Sequence, residues 1–166
     1  MRNRERESWY DIAQVCVAGH VANNSSISSP ERNKKFCDVC GEKTITSCPD
    51  CETNIRGEYN VPGIAMVGFG YDPPAFCHEC GKAYPWTAEK LNAAKELADL
   101  LDELSDDERE SLKKSLDDLV KDGPRTVVAT TKFKRILSKT GPEIVTGFKD
   151  ILTDVVSESV KKTIWG

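Results

Sequence analysis

All seven cysteines of the chain lie between Cys16 and Cys80. With His20 they form four pairs: C-V-A-G-H at Cys16 and His20, C-D-V-C at Cys37 and Cys40, C-P-D-C at Cys48 and Cys51, and C-H-E-C at Cys77 and Cys80. A pair of thiols separated by two residues can curl around one metal ion, and four such donors complete a tetrahedral shell. Eight donors make two complete sets with no cysteine left over. One set has three cysteines and a histidine, and the other has four cysteines. The expectation is two Zn2+ ions per chain, held by Cys16, His20, Cys37, Cys40, Cys48, Cys51, Cys77 and Cys80. His78, the only other histidine, sits between the last two cysteines and is expected to face solvent as a spectator.

The 166 residues suffice for one ordinary domain or two small ones. Hydrophobic residues are 39% and charged residues 30%, a globular balance, and the formal net charge is -4. Zinc-bound thiolates would add negative charge, so general nucleic-acid binding is disfavoured. Residues 1–8 are rich in Arg and Glu, without the apolar core of a signal peptide, and no run approaches the roughly 20 apolar residues of a membrane span. The expected compartment is a reducing cytoplasm, where paired cysteines bind metal rather than form disulfides.

The spacing predicts an α+β chain: a small β-rich double zinc ribbon over residues 8–86, then a helical region over 87–166 with an amphipathic C-terminal helix. Residues 8–15 hold β-formers and lead into Cys16, so a strand delivers the first ligand pair, and Gly19 supplies the conformational freedom of a tight turn. Residues 21–35 are polar and read as a loop. F-C-x-x-C-G occurs at Phe36 and again at Phe76, with each Phe expected to pack beside its metal. Two or three short strands are expected between Cys51 and Cys77, with the apolar run Ile64–Phe69 covering the second centre.

At Tyr84-Pro85-Trp86 the pattern turns helical. Thr87 is the expected N-cap of a helix ending near Leu104, and Ser105-Asp106-Asp107-Glu108 is a capping box that restarts one ending at Gly123-Pro124. From Arg125 to Lys139 there are five bases and no acid. This stretch is expected to pack near the acidic hairpin before it. A last helix starts near Pro142, with Ile144, Phe148, Ile151, Leu152 and Val155 in a broad apolar stripe. A face this wide must be covered by its own domain, a partner subunit or a membrane surface. It is wider than a two-helix seam needs and reads as a docking surface, with a self-contained three- or four-helix bundle as the competing account.

Two ways of sharing ligands remain. Sequential ribbons would join the first pair to the second and the third to the fourth; a cross-brace would interleave them. The 16-residue gap between His20 and Cys37 favours sequential ribbons. The set C-x-x-G-H, K-K-F-C-x-x-C-G, C-P-x-C, I-R-G, P-P-A-F-C-H-x-C-G and Y-P-W, from Cys16 to Trp86, resembles a bacterial double-zinc-ribbon family of unknown function. The resemblance covers about the first half of the chain and implies two structural zinc ions.

Three functions compete. The first is a non-enzymatic interaction or adaptor protein that docks or oligomerises through ribbon surfaces and the C-terminal helix, with a protein partner or self-association. The second is a nucleic-acid-binding or transcription-associated ribbon, using Arg2, Arg4, Arg6, Lys34, Lys35, Arg56 and the 125–139 stretch. The third is a zinc enzyme, which needs an open metal position and a nearby base. Eight ligands for two ions leave no open position, so no catalytic residue is expected, and acids on the polar face of the last helix oppose an anionic membrane.

Overall fold

The computed structural model of the protein describes residues 7–65 and 70–166. The chain divides into two compact units, Met1–Trp86 and Thr87–Gly166. Small antiparallel sheets occupy the first unit and helices dominate the second, an α+β architecture.

In the first unit, β1 (Trp9–Ile12) pairs with β5 (Arg56–Asn60), while β2 (Gln14–Cys16) lies between β3 (Val21–Asn23) and β4 (Thr44–Ile45). Ala13, fully buried, carries the chain from one sheet to the other and donates its N–H to the Ile55 carbonyl at 2.9 Å. Three segments cross at this point. A Cβ on Gly57 would stand 2.2 Å from the Asn24 carbonyl oxygen and 2.9 Å from the Ala13 nitrogen, so only glycine fits.

Residues 21–35 are not a plain loop. They begin with β3 and continue into a turn pinned by two buried polar side chains. Asp11, 1% exposed, accepts from the amides of Ile12, Ile27 and Ser28 at 2.7, 2.9 and 3.1 Å. Burial alone would raise its pKa, but hydrogen bonds from Ser28, Ile27 and Ile12 bring it below the usual value. Asn23 donates to the Ser29 carbonyl and to Asn33 Oδ1.

Between Cys51 and Cys77 one named strand, β5, forms among the described residues. Ile64, from the apolar run expected to cover the second centre, is 60% exposed and Ala65 is exposed as well; the rest of that expectation falls on residues 66–69, outside those described.

The helices are α1 (Pro85–Asp99), α2 (Asp106–Lys121), α3 (Thr126–Leu137), α4 (Pro142–Leu152) and α5 (Glu158–Trp165). α1 starts two residues before Thr87, at a proline whose fixed φ suits a first turn, and it stops at Asp99, short of Leu104. The capping box forms: Ser105 Oγ accepts from Glu108 N at 3.3 Å, and Ser105 N donates to Glu108 Oε2 at 3.1 Å. The basic stretch folds as α3 and lies against α2, where Lys139 pairs with Glu108 and Arg125 with Asp118.

The C-terminal stripe is split, because Ser157 takes an extended conformation and caps a new helix by accepting from Val160 N. Phe148 and Leu152 are fully buried, Val155, Val156 and Val160 nearly so, and Phe133 meets Phe148 edge to face at 5.6 Å. Each such side chain contributes about 1.5–3 kcal/mol by leaving water. Phe148, Leu152 and Val155 of the expected docking face are therefore core of the second unit, with Leu116 and Phe133 of α2 and α3, while Ile144 and Ile151 stay half-buried.

Candidate metal centres

Three knuckles repeat one backbone pattern. Cys37 N donates to Glu42 O and Gly41 N to Cys37 O, each at 2.8 Å. The same bonds join Cys48 to Thr53 and Glu52 to Cys48, and Cys77 to Lys82 and Gly81 to Cys77. The residue after each second cysteine turns left-handed, with φ of 76° at Gly41, 62° at Glu52 and 73° at Gly81. The bridges Phe36 with Lys43, Ser47 with Asn54 and Phe76 with Ala83 close the three turns. The second pair was legible as ligands but not as a copy of F-C-x-x-C-G, because Ser47 and Glu52 stand where its sisters have Phe and Gly.

The first ligand pair is built differently. Cys16 ends β2, and its N–H donates to the His20 carbonyl at 2.9 Å across a turn through Gly19, whose φ is 97°. A Cβ on Gly19 would press on Trp86 Cβ at 3.0 Å, so both conformation and space require glycine.

These elements bring together Cys16, His20, Cys37 and Cys40 in one cluster and Cys48, Cys51, Cys77 and Cys80 in another. Within each, the donor atoms lie within 4.8 Å of one another. The grouping is sequential rather than interleaved. His78 is exposed and stands in neither cluster. Each cluster could hold a metal ion.

The donor geometry tests the fit. Sulfurs bound at 2.3 Å to a tetrahedral ion stand about 3.8 Å apart, and a sulfur and an imidazole nitrogen about 3.6 Å. Cys16 and Cys40 are 3.8 Å apart at sulfur, Cys48 and Cys80 3.8 Å, and Cys51 and Cys77 3.6 Å. His20 Nδ1 is 3.5 Å from the Cys16 sulfur and 3.7 Å from the Cys37 sulfur.

The electrostatics also favour a cation. The Cys80 amide, followed by that of Glu79, brings the Cys77 thiol down to about 6 against desolvation. The Lys82 amide acts in the same sense on Cys80, but desolvation and the thiols of Cys51, Cys48 and Cys77 prevail and push it up to about 12. Thiols this close resist ionising together unless a cation offsets their charge.

One expectation about the knuckles fails. Phe36 is 62% exposed, and Val39 at the tip of the same knuckle is 72% exposed. Phe76, its counterpart, is half-buried.

Fold and site define a two-unit α+β protein with two cysteine-rich clusters able to hold metal. The chain belongs to DUF2321, a family described as uncharacterised protein conserved in bacteria, whose profile matches residues 9–164. The match takes in the helical unit as well as the ribbons, more of the chain than the cysteine motifs alone indicate. Comparisons with curated proteins and with solved structures gave no match. Among the described residues no helix is long and apolar enough to cross a membrane.

Proposed function

We propose that the protein is a non-enzymatic zinc-ribbon interaction module, with two structural zinc ions that stiffen a surface for a protein partner. Zinc is the ion that suits the donors: three thiolates with an imidazole, and four thiolates, at tetrahedral separations. Each set already supplies four protein ligands, the mark of a structural rather than a catalytic ion. Metal analysis of the purified protein should give two zinc ions per chain; one or fewer would overturn this part.

The observation that carries the docking role is the pair Phe36 and Val39, exposed at the base and at the tip of a turn that a metal would lock. Beside Phe36 lies an open groove of about 560 Å3, bordered by Lys35, Lys43 and Lys34, the last paired with Asp38. A rigid turn with apolar side chains at its base and tip and lysines beside the base suits a protein surface with an apolar pocket and acidic margins. The partner therefore meets the ribbon unit rather than the buried C-terminal stripe. Changing Phe36→Ser together with Val39→Ser should leave both zinc ions bound and lower partner affinity at least tenfold. Unchanged affinity with both ions retained would sink the assignment.

The alternative, nucleic-acid binding, draws on the same lysines beside an exposed ring. The net charge of -4 and the residual negative charge of the two thiolate centres oppose it. A salt-sensitive gel shift lost with Lys35→Glu and Lys43→Glu would favour it instead.

A further inference from the structure

The turn that joins α1 to α2 is anchored from within. Leu101 and Leu104 are buried, and Arg109 donates to the Leu101 carbonyl at 2.9 Å. Leu100, at the start of the same turn, takes no part in that core and is 75% exposed. Acids surround it in sequence. Asp99 and Asp106 are taken by Lys113 and Arg109. Asp102 and Glu103 are exposed and make no ion pair among the described residues. A lone exposed leucine carries little meaning. A leucine on an anchored turn, with two unpaired carboxylates beside it, is a knob of defined chemistry.

The groove beside Phe36 has the complementary chemistry. Phe36, exposed, and Ile45, half-buried, are its large apolar side chains. Lys34 is paired with Asp38, whereas Lys35 and Lys43 are exposed and make no ion pair among the described residues. The main chain fixes their places: Phe36 bridges Lys43, and Thr44 N donates to the Lys35 carbonyl at 3.1 Å. Knob and groove thus each present apolar surface and two unpaired charges on ordered backbone, and the charges have opposite sign.

We propose that the occupant of the groove is a second copy of this chain, which inserts its Leu100 turn. The leucine packs on Phe36 and Ile45, while Asp102 and Glu103 meet Lys35 and Lys43. This rests on the reading of the ribbon turn as a protein-docking surface and names the partner. The apolar contact supplies affinity, and the opposed charges fix the orientation. Knob and groove are different surfaces, so the contact runs head to tail. Each copy carries one of each, and association passes beyond the dimer to a ring or a short row. Surfaces of this size make a weak contact, formed at high protein concentration.

Sedimentation velocity of the full-length protein tests it. Wild type should sediment faster as its concentration rises toward millimolar, and slower again when added salt screens the charge pairs. Lys35→Glu with Lys43→Glu removes the basic margin of the groove, and Leu100→Ser with Asp102→Ser removes the knob. Either variant alone should associate at least tenfold more weakly. An equimolar mixture of the two should form a dimer and nothing larger, because one brings an intact turn and the other an intact groove. That recovery requires both variants to be folded, and their circular dichroism should match that of wild type. Variants that associate like wild type would overturn the proposal. So would folded, monomeric variants whose mixture stays monomeric. A wild type that is monomeric throughout would remove the second copy as partner and leave the docking reading to its own test with Phe36→Ser and Val39→Ser.

Discussion

Glu52 is one of two non-glycine residues with positive φ among those described, at 62°. It occupies the turn position that Gly41 and Gly81 fill in the sister knuckles, and its amide must reach the Cys48 carbonyl for the turn to close. A side chain held there costs on the order of 1 kcal/mol, partly offset by the freedom glycine would regain on unfolding. Glu52→Gly is expected to stabilise the ribbon unit by up to about 1 kcal/mol, seen as a higher urea midpoint with unchanged metal content; a lower midpoint would show that the Glu side chain serves a purpose of its own. Asp11 illustrates the opposite case. Nothing near it in the sequence announces that its carboxylate will gather three amides, because two of them belong to residues 27 and 28.

Among the elements, α2 and α3 show how charge segregation resolves. Glu108 closes the capping box with Ser105 and also receives Lys139 from beyond the end of α3. The Lys139 ammonium, and then the Ser105 amide, hold its carboxyl down at about 2. A carboxylate with a depressed folded pKa contributes stability that is complete above the unfolded value of about 4.5 and fades as pH falls toward 2. Wild type should therefore be more stable than Glu108→Gln at pH 7, and the gap should narrow between pH 5 and pH 2. Urea melts of both proteins across that range measure it, and the paired comparison cancels any common effect of acid on the thiolate centres. A constant gap would mean that the charge contributes nothing beyond the cap. The five bases without an acid in residues 125–139 thus find acids on the preceding helix, which is why they make a poor guide to nucleic acid.

At the scale of the molecule, the two units draw their order from different sources. The second buries Leu112, Leu116, Leu119, Phe133, Phe148 and Leu152 in an ordinary apolar core. The first has strands of two to five residues, and four of its own cysteines stand among its buried apolar side chains. Sheets so short need a covalent or metal constraint. Each bound zinc contributes on the order of 10 kcal/mol to folding. Chelation is therefore expected to unfold residues 8–86 while the helical signal from residues 87–166 persists, followed by circular dichroism during titration with a strong chelator. Loss of both signals in one step would show that the helical unit depends on the metal as well. Retention of both would mean that the ribbons fold without it.

The cysteine pairs, the capping box at Ser105 and the helix start at Pro142 were legible because each is a local device: its partners lie within a few residues, so chain geometry alone specifies them. The α+β division was legible for the same reason, as short β-forming runs around turns give way to helical spacing at Tyr84. Which pair faces which was not local. The 16-residue gap favoured sequential ribbons without deciding them, and it is the antiparallel pairing of β2 with β4, Cys16 opposite Thr44, that sets Cys16 beside the knuckle of Cys37 and Cys40. Phe36 and Phe76 share one motif, yet the fold leaves the first exposed and the second half-buried. The stripe from Ile144 to Val155 was plain as a pattern, but a pattern gives the width of an apolar face and not its neighbours. Only the packing of the second unit, where Phe133 reaches Phe148, decided that Phe148, Leu152 and Val155 are core.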